Sequence, residues 1–330
     1  MSRLFIQHTL LFLLLLASKK GASEPPVAKQ IPTLDICLST CVTLTAPAKR
    51  IVALNWSAAE MLLTLGVAPV GVTQTAGYRK WQTNHPALPE NITDVGRRQE
   101  PDLKTIARLQ PDLIIGYDFR HQRIHSALSQ IAPTLLYQQF PKPDQPHFQY
   151  LDALPHLFNT IALSVGKGKQ AQSKLLDMEH TLSQLNSQLK RAQLKDMKLV
   201  YGKFVGMGYG LRVFGGNSLA GAVADRLGLQ YHWHKVLPGK DFTHLQLEQM
   251  GELSQLHLML ASDQSDNSRF TESPVWAALP FIQENRASNT PPLWSFGGPD
   301  SVLKMAHAFT DSLLVWRLQN PPLQVKNEGE

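Results

Sequence analysis

The chain has 330 residues, 32 of them Lys or Arg against 26 Asp or Glu, with 43% hydrophobic residues and two cysteines. That length is enough for two lobes of ordinary domain size, and the chain shows no internal sequence repeat and no low-complexity tract. The formal charge is +6, but +3 once the first 23 residues, with Arg3, Lys19 and Lys20 and no acid, are set aside, and that balance leaves no electrostatic footprint for nucleic acid.

Residues 1–23 read as an export signal. Arg3 gives a short positive start, Leu10 to Ala17 is an apolar core, and Gly21-Ala22-Ser23 offers small residues for cleavage before Glu24. The core falls short of the roughly 20 residues that span a bilayer. No Cys follows closely enough for a lipid anchor; the alternative is an uncleaved amphipathic anchor. Loss of Arg3, Lys19 and Lys20 would leave 29 basic and 26 acidic residues, a formal charge of +3. Residues 24–47 form a Pro-containing lead-in. Its Cys37 and Cys41 are expected to pair in an oxidising compartment and close a small hairpin or loop, with free thiols or weak metal contact as alternatives.

A first α/β lobe is expected over residues 48–166. Ile51–Leu54 is short and apolar enough for a buried strand. The run from Ser57 to Leu65 has helical spacing, with Ser57 as cap and Gly66 as stop. Val70–Val72 reads as a second strand and Leu113–Gly116 as another, so the sheet is expected to be mostly parallel with its ligand beyond the strand ends. Phe148 to Val165 has helical spacing. Between 167 and 192, Ala171, Leu175, Met178, Leu182, Leu185, Leu189 and Ala192 step by four and three, which predicts one long helix. A second α/β lobe follows over 193–330. Its expected strands are Leu199–Tyr201, Leu211–Phe214 and Leu256–Leu260; its helices run from Ser218 to Leu227 and from Ser301 to Leu318.

Enzyme signatures are largely missing. Gly216-Asn217-Ser218-Leu219-Ala220 lacks the second Gly of a nucleophile elbow, and Gly206-Met207-Gly208-Tyr209-Gly210-Leu211 fails the dinucleotide fingerprint. The chemistry-bearing residues are instead aromatics and arginines in expected loops: Tyr78, Arg79 and Trp81, then Arg97 and Arg98, then Trp233, and finally Trp294 and Phe296. Aromatic faces with polar rims suit a mixed organic ligand, and Arg supplies a fixed fork of donors for ligand oxygens. Histidines pair at His121/His125 and His232/His234; helical i, i+4 spacing would let the first pair share a metal, but no third ligand is in view. Trp56 and Trp276 read as packing residues.

Several strings carry a family resemblance: RIVALNW at 50–56 with Glu60 and Leu62-Leu63, YRKW at 78–81, DVGRRQEPDL at 94–103, LQPDLII at 109–115, VFGGNSL at 213–219 and PVWAALPF at 274–281. In this order they resemble the periplasmic iron–siderophore binding proteins of ABC importers, the class III binding proteins, and above all their ferric hydroxamate-binding branch. The likeness covers about residues 48–318. It implies two α/β lobes, each with a mostly parallel sheet flanked by helices, joined by one rigid interdomain helix. It implies a periplasmic monomer with no intrinsic cofactor and no catalysis, which takes a ferric siderophore between its lobes and delivers it to an ABC permease.

Carried over position by position, the resemblance makes Arg98 the oxygen-binding arginine and Trp81, Trp233 and Trp294 aromatic wall residues, with Phe296 in place of a tyrosine. Two positions depart from the pattern: Arg120 stands near a family tyrosine and Lys240 replaces a tryptophan, which implies either a more anionic chelate or two charges that point to solvent. Tyr117 is then the candidate for the missing hydroxyl. Glu248 fits a permease-docking position in the second lobe; in the first lobe the usual acid falls at Lys104, leaving Glu100 as substitute. The alternatives are a haem or cobalamin carrier of the same fold and, more distantly, a secreted α/β hydrolase using a serine such as Ser218.

Overall fold

The computed structural model describes residues 33–83, 85–145, 147–205, 210–261 and 271–321. The expected signal at 1–23, the start of the lead-in and the Gly206–Tyr209 run lie outside these described residues. From Thr33 onward the chain clusters as one unit.

The lead-in is part of the first lobe. Strands β1 (Leu34–Cys37) and β2 (Cys41–Leu44) pair antiparallel, and a disulfide joins Cys37 to Cys41 at the hairpin end. Alternation sends Ile36, Val42 and Leu44 into the core. The hairpin is tied to the lobe by Ser39 N–H donating to Leu136 O at 2.9 Å and by the Thr40 hydroxyl donating to Thr134 O at 3.0 Å.

Five strands build the first sheet: β3 (Ile51–Ala53), β4 (Gly71–Val72), β5 (Thr93–Asp94), β6 (Leu113–Tyr117) and β7 (Thr134–Tyr137). Their order is β5-β4-β3-β6-β7, all parallel. The order reverses at β3, and such a switch point opens a crevice beyond the carboxyl ends of the strands. Helix α1 (Trp56–Thr64) starts there, and α2 (Thr75–Trp81), α3 (Leu103–Arg108), α4 (Asp118–His121) and α5 (His125–Ser129) follow between the later strands. The cap of α1 is Asn55, whose Oδ1 accepts from Ala58 N–H at 2.8 Å, and not Ser57, which lies inside the first turn and is free for another task.

Helix α7 (Gly168–Arg191) runs 24 residues, about 36 Å at 1.5 Å per residue. Ala171, Met178, Leu182, Leu185 and Leu189 are buried along one stripe, each Leu or Met contributing roughly 1.5–3 kcal/mol of apolar burial. The stripe packs against α6 (Tyr150–Ser164) of the first lobe and against the C-terminal helix Pro299–Gln319 of the second. A helix anchored in both cores resists hinging.

The second sheet has β8 (Lys198–Phe204), β9 (Leu211–Phe214), β10 (Gln230–Tyr231), β11 (Phe242–Leu245), β12 (His257–Ala261) and β13 (Ala287–Thr290). β10, β8, β12 and β13 are parallel; β9 and β11 add an antiparallel edge. Helix α8 (Leu219–Arg226) begins at Ser218, whose buried hydroxyl accepts from Gly221 N–H. Among the described residues no helix is long and apolar enough to cross a membrane.

Candidate functional site

The carboxyl ends of both sheets border a cavity of about 460 Å³. Trp56 follows β3, Arg98 follows β5, Tyr117 ends β6 and Phe140 follows β7; from the other lobe come Lys203 near the end of β8, Ala261 at the end of β12 and Trp294 after β13. The volume is that of a small-molecule site.

One wall is a chain of aromatic contacts that crosses between the lobes. Trp56 meets Trp294 at 4.6 Å between ring centroids, Trp294 meets Phe296 at 5.1 Å, and Phe296 meets Phe140 at 5.8 Å. Phe140 then meets Phe119 at 4.9 Å, and Phe119 stacks on Tyr117 at 5.3 Å. Ser57 fastens the crossing. Its Oγ accepts from the Trp294 indole at 3.0 Å and donates to the Phe296 carbonyl. A serine has one proton, so the 2.6 Å contact between Ser57 Oγ and Tyr117 Oη has the tyrosine as donor. Burial pushes the Tyr117 hydroxyl up to about 12, and its proton is spent on Ser57 rather than held out to a ligand.

A second buried tie lies behind this wall. The Glu60 carboxylate of α1 accepts from Ser301 N–H at 2.7 Å, from the Ser301 hydroxyl at 2.6 Å and from the Gln82 amide. It thus sits at the N-terminus of the C-terminal helix, where negative charge is favoured. A Cβ at Gly297 would collide with both Glu60 and Ser301, so only glycine lets these groups meet. Burial pushes the Glu60 carboxyl above its usual range, opposed by the Ser301 donors.

Arg98 is held from three sides. Its Nε donates to Gln74 Oε1 at 2.7 Å, its guanidinium lies 3.8 Å from the Trp56 ring centroid, and its carbonyl accepts from His121 Nε2 at 3.0 Å. His121 Nδ1 accepts from Tyr117 N–H, so the neutral imidazole bridges the backbones of Arg98 and Tyr117. Gly116 leaves room for that ring; a Cβ there would lie 2.6 Å from Nδ1. Burial holds His121 down to about 4, which keeps it neutral. Burial and the nearby Arg120 charge lower Arg98 to about 10, still protonated at neutral pH.

Trp81, Arg98, Tyr117 and Arg120 line the cavity as the sequence suggested, as do Lys240, Trp294 and Phe296. Two expected residues do not. Tyr78 points into the first-lobe core, fully buried, and its hydroxyl donates to Pro86 O at 2.7 Å. Trp233 is 4% exposed and stands beyond β10, with its carbonyl accepting from Gly216 N–H at 2.8 Å; nothing in the structure explains its unpartnered indole nitrogen. Trp56, read as packing, is a wall residue. Trp276 does pack, against Phe281 and Phe204. Glu100 and Glu248 are exposed, the latter in the first turn of the 3-10 helix Leu247–Leu253, and Lys104 is exposed as well. The His121 and His125 rings are both spent on protein carbonyls. Among the described residues no three His, Cys, Asp or Glu cluster for a metal.

Sequence reasoning missed Lys203 and Arg212. Lys203 is 7% exposed and sits over Trp81 at 4.7 Å from the ring centroid; Arg212 sits over Phe242 at 4.3 Å. A lone Lys in the apolar run Leu199–Phe204 was the available signal, since Lys is seldom fully buried without purpose.

Residues 51–292 match the family model described as periplasmic binding protein. The chain belongs to this family. Among its relatives is the iron(3+)-hydroxamate-binding protein FhuD of Escherichia coli K12, 24% identical over 266 residues, which are 80% of this chain and 86% of that one. Another is the Fe(3+) dicitrate-binding periplasmic protein FecB of the same strain, 26% identical over 249 residues, 75% of this chain and 78% of the relative. The Fe3+–Desferal-bound siderophore binding protein FhuD from Vibrio cholerae superposes with a TM-score of 0.74 at 28% identity, covering 81% of this chain and 98% of that structure. Family members of this kind bind substrates rather than transform them, and the two-lobed fold with its long α7 is theirs.

Proposed function

We propose that this chain is a periplasmic binding protein that captures a ferric siderophore between its lobes and hands it to an ABC importer. The observation that carries the reading is the cavity itself: an aromatic wall shared by both lobes, faced by guanidinium and ammonium groups. A saturated ferric chelate needs no protein ligand to its iron, only a shaped surface with donors for its outward oxygens. Relatives named for a hydroxamate complex and for dicitrate support the class, and their similar identities of 24% and 26% do not choose between the two. In this reading Arg98 grips the chelate oxygens, while Trp56, Trp81, Trp294 and Phe296 cover its organic shell. A cleaved signal at 1–23 brings the chain to the periplasm, where it acts as a monomer. Exposed Glu100 and Glu248, one per lobe, meet basic pockets on the permease.

Three tryptophans line the cavity, so intrinsic fluorescence reports on binding. Titration of the mature chain with ferric siderophores should give saturable one-to-one quenching without turnover. Arg98→Ala should weaken it by about tenfold or more, the loss of one charge-assisted bidentate contact. Quenching by haem or cobalamin with no response to any ferric siderophore would overturn the ligand and leave the fold.

A further inference from the structure

The cavity is charged in one sense only. Arg98 and Arg120 reach it from the first lobe and Lys203, Arg212 and Lys240 from the second, while no Asp or Glu lines it among the described residues. Nor, among those residues, does any of the five form an ion pair. Each rests on an aromatic ring instead: Arg98 on Trp56, Arg120 on Phe119, Lys203 on Trp81, Arg212 on Phe242, and Lys240 on Phe140 at 4.7 Å. An aromatic face steadies a cation and leaves its N–H groups free for another acceptor.

Strand register makes the arrangement more pointed. Lys203 on β8 is directly opposite Arg212 on β9, and Arg212 is directly opposite His244 on β11. Directly paired residues share a sheet face, so three basic side chains stand in one row. Like charges in that position oppose folding. Arg212 Nε donates to His244 Nε2 at 3.1 Å, so this imidazole is neutral and relieves part of the crowding. The carboxylate that does act on Lys203, Arg212 and Lys240 is Asp241, which is buried, with Oδ1 unpartnered. One buried acid acts on three of the five bases.

We propose that the cleft selects ferric chelates of net negative charge, whose carboxylate or catecholate oxygens face these five cations, over neutral or cationic hydroxamate complexes. The inference rests on the siderophore-binding reading and adds to it the charge class of the ligand. The ligand completes the electrostatics that the apoprotein leaves open: it supplies the acceptors that the aromatic rings cannot, and it screens the repulsion along the Lys203–Arg212 row. Charge at Arg120 and Lys240 extends the field to the mouth of the cavity, where both are partly exposed.

The test is calorimetric titration with four probes: ferric citrate and a ferric tris-catecholate, both anionic, neutral ferrichrome, and cationic ferrioxamine B. At least one anionic complex should bind about tenfold or more tighter than ferrichrome, with ferrioxamine B weakest, and which anionic probe leads identifies the oxygen type. In the Arg120→Gln, Lys240→Gln double variant, whose changed residues are partly exposed, anionic binding should fall by about tenfold while ferrichrome binding shifts less than about threefold. Equal or tighter binding of ferrichrome than of both anionic probes would overturn the inference and leave the siderophore reading intact. Binding of none of the four would overturn both.

Discussion

Replacing Lys203 by Met separates the role of this residue in binding from its role in stability, because the two should move in opposite directions. The Lys203 ammonium is buried; burial first, then the Arg212 and Arg98 charges, lower it from 10.5 to about 7, with Asp241 opposing. Holding the group near 7 instead of 10.5 means that keeping the ammonium charged in the fold costs roughly 5 kcal/mol relative to its neutral form. The penalty is complete below pH 7, where both folded and unfolded chains are protonated, and disappears toward pH 10.5, where both are neutral. Met has a similar length and no charge, so Lys203→Met should raise stability at pH 7 by about 2–4 kcal/mol after structural relaxation, and by less as the pH rises toward 10. The same change should weaken an anionic chelate by about ten- to a hundredfold, the usual cost of losing one desolvated charge pair. Urea unfolding and chelate titration on the same preparation measure both. A variant less stable than the parent, or one that keeps its chelate affinity, would refute the reasoning.

Two further outcomes follow from the buried groups. Between pH 6 and 8.5 the affinity for an anionic chelate should fall by roughly ten- to thirtyfold, because Lys203 loses its proton near 7 and Asp241, also raised to about 7 by burial, gains negative charge over the same range. Arg98 and Arg212, which face this pair, stay protonated throughout, and Lys203→Met should flatten most of the profile; a pH-independent dissociation constant would remove the pair from the binding site. Glu60→Ala should cost about 3–5 kcal/mol of unfolding free energy, since it leaves the Ser301 N–H, the Ser301 hydroxyl and the Gln82 amide without their buried acceptor. A loss under about 1 kcal/mol in urea unfolding would mean that the lobes are held by packing alone.

Local sequence carried the elements whose cause is local. Periodicity marked α7 to within one residue at each end, because a one-sided apolar stripe can be buried in few other ways. The short apolar runs marked β3, β6, β8 and β12, and the close Cys pair marked the hairpin at Cys37–Cys41. Arg98 and Trp81 stood in motif strings and Trp294 in a Pro- and Gly-containing run, though Trp81 closes the helix Thr75–Trp81 rather than lying in the expected loop. Other residues drew their meaning from partners far along the chain. Ser57 reads as a helix cap until Asn55 takes that place and the hydroxyl is found bonded to Phe296, 239 residues away. Tyr78 and Trp233 look like wall residues in one dimension; in the fold Tyr78 is buried in the first-lobe core and Trp233 stands in irregular chain beyond β10, neither of them lining the cavity. Most of all, the cationic row exists only because β9 returns antiparallel beside β8, setting Lys203 against Arg212. Local pattern was enough for the longest helix, the central strands and a cleft furnished with aromatics and arginines. Tertiary structure decided the charge of the cavity, because charge at a site is a sum over side chains that only strand register and the meeting of two lobes bring together.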